Sequence, residues 1–97
     1  MAKLIVVYRL KPGVSAAAFE AWASGVPADA GAGLRRLEAF TTTQDNAVAT
    51  DYVEVYHIPD ASSFDAADMP AHVHACIMGD YGGVDGQPQI RLSEDPN

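Results

Sequence analysis

The chain has 97 residues, of which 48% are hydrophobic and 20% charged, with a formal net charge of −7. That length allows one compact domain and not two, and the composition is globular rather than disordered. The acidic balance and the absence of a basic run give no electrostatic support for nucleic acid or an anionic membrane as partner, and the single cysteine, Cys76, excludes an internal disulfide and a cysteine zinc site.

Residues 3–10 (KLIVVYRL) are rich in β-branched and aromatic side chains and end at Lys11-Pro12-Gly13, which predicts a strand stopped by a turn. This opening apolar run is too short for a signal peptide or a membrane span, so the expected location is the cytoplasm. Ser15 is placed to cap a helix over 16–25. Phe19, Trp22, Ala23 and Val26 recur at helical spacing and predict the face that packs on a sheet. Residues 27–33 form a small-residue loop. Residues 34–44 (LRRLEAFTTTQ) and 51–58 (DYVEVYHI) predict two strands joined through a turn at Asp45-Asn46, which makes an antiparallel hairpin. A short helix is expected over 61–68. Met69-Pro70 opens a further helix that runs to about Asp80, because proline is tolerated at the first helical position. Val73, Cys76, Ile77 and Tyr81 share one side of it. A glycine-rich loop follows over 79–88, then a last strand at 88–92, and the tail from Ser93 to Asn97 is expected to fray. The order β-α-β-β-α-β is that of the ferredoxin-like split βαβ motif, an α+β fold with an antiparallel sheet and helices on one face. A domain this small buries a thin core, and a homodimer would bury more.

The candidate functional residues follow from this layout. His72 lies in the first turn of its predicted helix, where the dipole disfavours a positive charge and keeps an imidazole neutral, as a general base requires. It sits at the edge of the apolar stripe, so it is either a pocket residue or a half-exposed surface histidine. His72 and His74 point in different directions on a helix and do not make a metal pair. Tyr52, Glu54 and Tyr56 alternate on one strand face, and Val53, Val55 and His57 on the other. If the Glu54 face is turned outward, it is a dimer interface or a cavity wall. A buried Glu54 would need a partner, for which Arg9, Arg35 and Arg36 are candidates. Tyr8, Trp22, Phe40 and Tyr81 are candidates for an aromatic lining, and Cys76 reads as a small buried residue. No nucleophile elbow or phosphate-binding glycine motif is present.

The opening KLIVVYRLKPGVSAAAFEAWA and the Tyr52–Val55 strand YVEV resemble the RedY/HapK-like family, small proteins of prodiginine and bisindole pathways within the dimeric α/β-barrel superfamily. The resemblance implies a homodimer packed sheet to sheet and a small aromatic, indole- or pyrrole-derived ligand, with no cofactor and no metal. Pro70-Ala71-His72-Val73 is similar to the PAH motif of dimeric α/β-barrel polyketide cyclases, and this similarity implies a general-base role for His72. Those cyclases carry a second active-site histidine on the first strand; Leu4 stands there in this chain. The implied function is a cofactor-free enzyme of natural-product biosynthesis. His72 would move a proton in a cyclisation, tautomerisation or bond cleavage, with Trp22, Tyr8, Tyr81, His57 and Glu54 around the substrate. The alternatives are a cofactor-independent monooxygenase and a non-catalytic binder of a reactive intermediate.

Overall fold

The computed structural model describes residues 2–26, 34–43, 50–58 and 69–94. The expected helix at 61–68, the loop at 27–33 and the turn at Asp45-Asn46 lie outside the described residues. The described elements are β1 (Ala2–Leu10), α1 (Ala16–Gly25), β2 (Arg35–Thr43), β3 (Thr50–Ile58), α2 (Ala71–Ile77) and β4 (Gln89–Glu94). The four strands form one antiparallel sheet in the order β2-β3-β1-β4. An α+β chain with this sheet and two helices is consistent with the ferredoxin-like fold. No described helix is long and apolar enough to cross a membrane.

Strand alternation sorts the sheet into two faces. On β1, Ala2, Leu4, Val6, Tyr8 and Leu10 are all buried, while Lys3, Ile5, Val7 and Arg9 are half-buried or exposed. The register sets Leu4 opposite Tyr56, Val6 opposite Glu54 and Tyr8 opposite Tyr52, and directly opposite residues share a face. Phe19 of α1 packs its ring 4.6 Å from that of Tyr8 and 4.9 Å from that of Tyr52. This is therefore the face that the helices cover. The Tyr52-Glu54-Tyr56 face consequently looks inward at the helices, not outward at a partner. The face away from the helices holds Ile5, Val7, Val53, Val55 and Phe40. Phe40 pairs with Val53 there and is 44% exposed, so it is not part of the aromatic layer on the helix side.

Ser15 caps α1 as expected, its hydroxyl oxygen accepting the Ala18 amide at 3.1 Å. The helix ends at Gly25, and Phe19 is its one fully buried residue, with Trp22 and Ala23 packed against the core beside it. In α2, Pro70 precedes the first helical residue, and its carbonyl accepts the amides of Val73 and His74. The helix stops a turn short of Asp80. Gly79 takes a left-handed φ of 80°, its amide bonds to the Cys76 carbonyl, and the Asp80 amide reaches back to Ala75. That is a Schellman stop, which closes the helix C-terminus and favours glycine. Val73 and Cys76 are buried, with Ile77 and Tyr81 packed against the core. Strand β4 runs on to Glu94 because the ladder with β1 pairs Ser93 with Lys3 and Glu94 with Ala2. Backbone pairing outweighs the polar character of these side chains, so the ordered strand reaches two residues beyond the predicted end.

Phe19 ties α1 to both central strands, so Phe19→Ala is expected to cost about 3–5 kcal/mol in urea unfolding. Met78→Ser, at a position 75% exposed, is expected to stay within about 0.5 kcal/mol.

Candidate functional site

Glu54 is the only buried charged residue among those described, at 1% exposure. Its directly opposite neighbours, Val6 on β1 and Ala39 on β2, are apolar. Its donors therefore come from diagonal positions and from a helix. The Tyr8 hydroxyl donates to Oε1 at 2.6 Å. Arg36 Nη1 donates to Oε2 at 3.3 Å, from a strand whose register slips between Arg36 and Glu38. From α2, Nε2 of His72 stands 3.0 Å from Oε1 and 3.1 Å from Oε2. The Tyr56 hydroxyl lies 3.1 Å from the same nitrogen.

The proton positions follow from donor and acceptor chemistry. A carboxylate only accepts hydrogen bonds, so Nε2 of His72 carries a proton. Tyr56 cannot donate to a protonated nitrogen, and its own proton goes to the Glu54 carboxylate. Four donors thus surround an anion with about four lone-pair sites. Burial alone would push the Glu54 carboxyl up. The His72 hydrogen bond and charge, with the Tyr8 and Tyr56 hydroxyls, outweigh it and hold the group below its ordinary value. Both tyrosines are pushed up, first by burial and then by the Glu54 charge, and so remain donors. With Nε2 committed to Glu54, the basic nitrogen of neutral His72 is Nδ1.

His72 and Glu54 line a half-open cavity of about 190 Å³ on the helix side of the sheet. Phe19 and Ala23 of α1 and Tyr52 of β3 give it apolar walls. Arg36, Glu20 and Ser24 add polar groups. Glu20 accepts the Tyr52 hydroxyl at 3.0 Å, and Tyr52 is pushed up to about 12 by burial and by that carboxylate.

Of the residues singled out from sequence, His72 and Glu54 come together at this cavity. Tyr8 is sealed beneath it, as the donor to Glu54. Trp22 and Tyr81 stack on each other at 4.3 Å and 19°. They back Phe19, which lies 5.8 Å from Trp22 and 5.6 Å from Tyr81 by ring centroids, and they do not line the cavity. His57 alternates onto the opposite sheet face, pairing with Lys3, and the structure does not bring it to the site. Arg9 pairs with Asp51 at 3.1 Å instead of Glu54. The Cys76 thiol is pushed up to about 12, first by burial and then by the charges of Glu54 and Asp80, so it is a poor nucleophile. Among the described residues, no three His, Cys, Asp or Glu side chains are grouped to hold a metal ion. Sequence reasoning did not assign Phe19, Glu20 and Ser24 to a site. The available signal was the shared stripe of 19, 20, 23 and 24 on α1.

The family model for REDY-like protein HapK matches residues 2–95. The chain belongs to the HapK family. In this member, the YVEV strand is the middle of β3, and its acidic residue is the buried Glu54. The LKPG segment is the turn after β1, with Gly13 at a φ of 86°. No curated protein and no solved structure matches the chain significantly.

The folded-state value of Glu54 lies below its ordinary value of 4.5. The stability it contributes is therefore fully present above that value and is lost as pH falls through the lower folded value. Thermal melts are expected to show this acid loss in the native protein and a flatter acid limb in Glu54→Gln. Glu54→Leu leaves Tyr8, Tyr56 and His72 without their acceptor and is expected to cost about 3–5 kcal/mol in denaturant unfolding.

Proposed function

We propose that this HapK-family protein is a cofactor-free enzyme of natural-product biosynthesis, in which His72 transfers a proton on an aromatic indole- or pyrrole-derived intermediate. The observation that carries this reading is the contact of half-buried His72 with buried Glu54 at the wall of the cavity. Glu54 fixes the imidazole tautomer and stabilises the imidazolium that forms when Nδ1 accepts a proton, the role a buried carboxylate plays beside a catalytic histidine. The substrate C–H or N–H proton moves to Nδ1, and its electron pair enters the conjugated system. The same nitrogen returns the proton at a second atom, which completes a tautomerisation or follows ring closure. The cavity is smaller than the roughly 300–1,000 Å³ of drug-sized sites. It suits one ring or a fused pair of rings against Phe19 and Tyr52.

The working form is a homodimer. The sheet face opposite Tyr8 and Glu54 carries Ile5, Val7, Val53, Val55 and Phe40 among the charged Lys3, Arg9, Glu38, Asp51 and Arg91, and Phe40 is 44% exposed there. An apolar patch with charged residues around it is a surface that sheet-to-sheet pairing would cover. Pairing there leaves the helix-side cavity of each protomer open.

His72→Gln is expected to lower turnover of the cognate intermediate by about 10²–10⁴-fold with the fold intact. An unchanged rate would refute the role of His72, and tight binding without product in the native protein would make it a carrier. Phe40→Asp is expected to give a monomer in sedimentation equilibrium, and an undisturbed dimer would place the interface elsewhere.

A further inference from the structure

We infer that Arg36 forms an oxygen-anion subsite in the cavity, which recognises an aromatic ligand through a phenolate, enolate or carboxylate oxygen. The inference rests on the cavity being the substrate site, and it does not require His72 to act in the reaction.

The polar groups around the cavity differ in what they have left to offer. Glu54 is saturated by Tyr8, Tyr56, His72 and Arg36. Glu20 already accepts the Tyr52 hydroxyl, and the Ser24 hydroxyl donates to the Glu20 carbonyl at 2.8 Å. Glu20 and Ser24 keep acceptor sites, and Arg36 is the one of these groups with N–H donors left over. Its guanidinium has five N–H donors in a planar fork, and its one bond to Glu54 uses a single nitrogen at 3.3 Å. A purely structural arginine–carboxylate pair tends to be shorter and two-pronged. The Arg36 side chain is also 47% exposed, against 1% for the carboxylate it touches. The cation at the rim of the cavity therefore has donors to spare beside Tyr52 and Phe19, where an aromatic ring would lie.

The backbone supports the same reading. The register slip between Arg36 and Glu38 is a bulge in β2, and bulges re-aim side chains next to functional sites. Here the strand keeps Arg36 opposite Tyr56 and Ala39 opposite Glu54. Both fall on the helix side, and the extra residue, Leu37, lies between them. When a proton leaves the substrate for His72, the electron pair comes to rest on a conjugated oxygen. A preorganised guanidinium stabilises that charge more than it stabilises the neutral ground state. Arg36 then determines which aromatics are taken: those with an acidic hydroxyl, an enolisable carbonyl or a carboxylate.

Three probes test this by titration calorimetry at mildly alkaline pH: nitrobenzene, 4-nitrophenolate and 4-nitrobenzoate. The native protein is expected to bind at least one anion about tenfold or more tightly than nitrobenzene, the strength of a charge-assisted hydrogen bond. The anion that gains most separates a single-oxygen subsite from a carboxylate subsite. Arg36→Gln is expected to lose this preference while keeping its affinity for nitrobenzene, which reports an intact cavity. Should Arg36→Gln fail to fold because Glu54 loses a partner, Arg36→Lys keeps the charge and is expected to reduce the preference. A native protein with no anion preference, or a preference unchanged by either substitution, overturns the subsite. An anion preference together with a silent His72→Gln overturns only the catalytic reading, and the reverse pattern overturns only the subsite.

Discussion

Placing one carboxylate in the middle of a small core is the constraint from which the site follows. An isolated buried anion costs several kcal/mol, so Glu54 is tolerable only while donors enclose it. Those donors come from three strands and a helix: Tyr8 on β1, Arg36 on β2, Tyr56 on β3 beside Glu54 itself, and His72 on α2. Each depends on a separate feature of the fold. The β1–β3 register sets Tyr8 on the diagonal, the bulge in β2 carries Arg36 to the inner face, and the start of α2 after Pro70 presents His72. The same arrangement that makes the anion tolerable orients the imidazole. A single interaction therefore links the stability of the core to the chemistry at its edge.

Much of the fold was legible in the sequence because local signals agree with the global structure. β1 and α1 lie where β-branched alternation, the KPG turn and the Ser15 cap place them, within a residue. The boundaries that moved did so for reasons outside the hydrophobic pattern. Gly79 ends α2 through its backbone conformation, and β4 continues through Ser93 and Glu94 because β1 offers a partner edge. The orientation of β3 was not legible. Both of its faces are apolar enough to be buried, one with two tyrosines and a glutamate and the other with two valines and a histidine. Alternation separates the faces without saying which meets the helices.

The site was legible in half. His72 was marked by its place at the head of a helix and by the Pro70-Ala71-His72 motif, and Glu54 by its need for a partner. What sequence could not supply was their contact, 18 residues apart in the chain. It also could not separate Arg36 from Arg9, since both are strand arginines and only three-dimensional register sends one to Glu54 and the other to Asp51. The two faces of the sheet then divide the work. The helix side holds the charged, hydrogen-bonded cluster and the cavity, and the opposite side sets Ile5, Val7, Val53, Val55 and Phe40 among charged residues.

The central claim is that Glu54 commits Nε2 of His72 and leaves Nδ1 as the base. Long-range ¹H–¹⁵N correlation of the histidine rings, recorded at alkaline pH where an imidazole is neutral, reads this directly. The account predicts that the neutral form of the His72 ring carries its proton on Nε2 and leaves Nδ1 bare, and that Glu54→Gln loses this tautomer preference. A His72 ring protonated on Nδ1 and bare at Nε2 would contradict it.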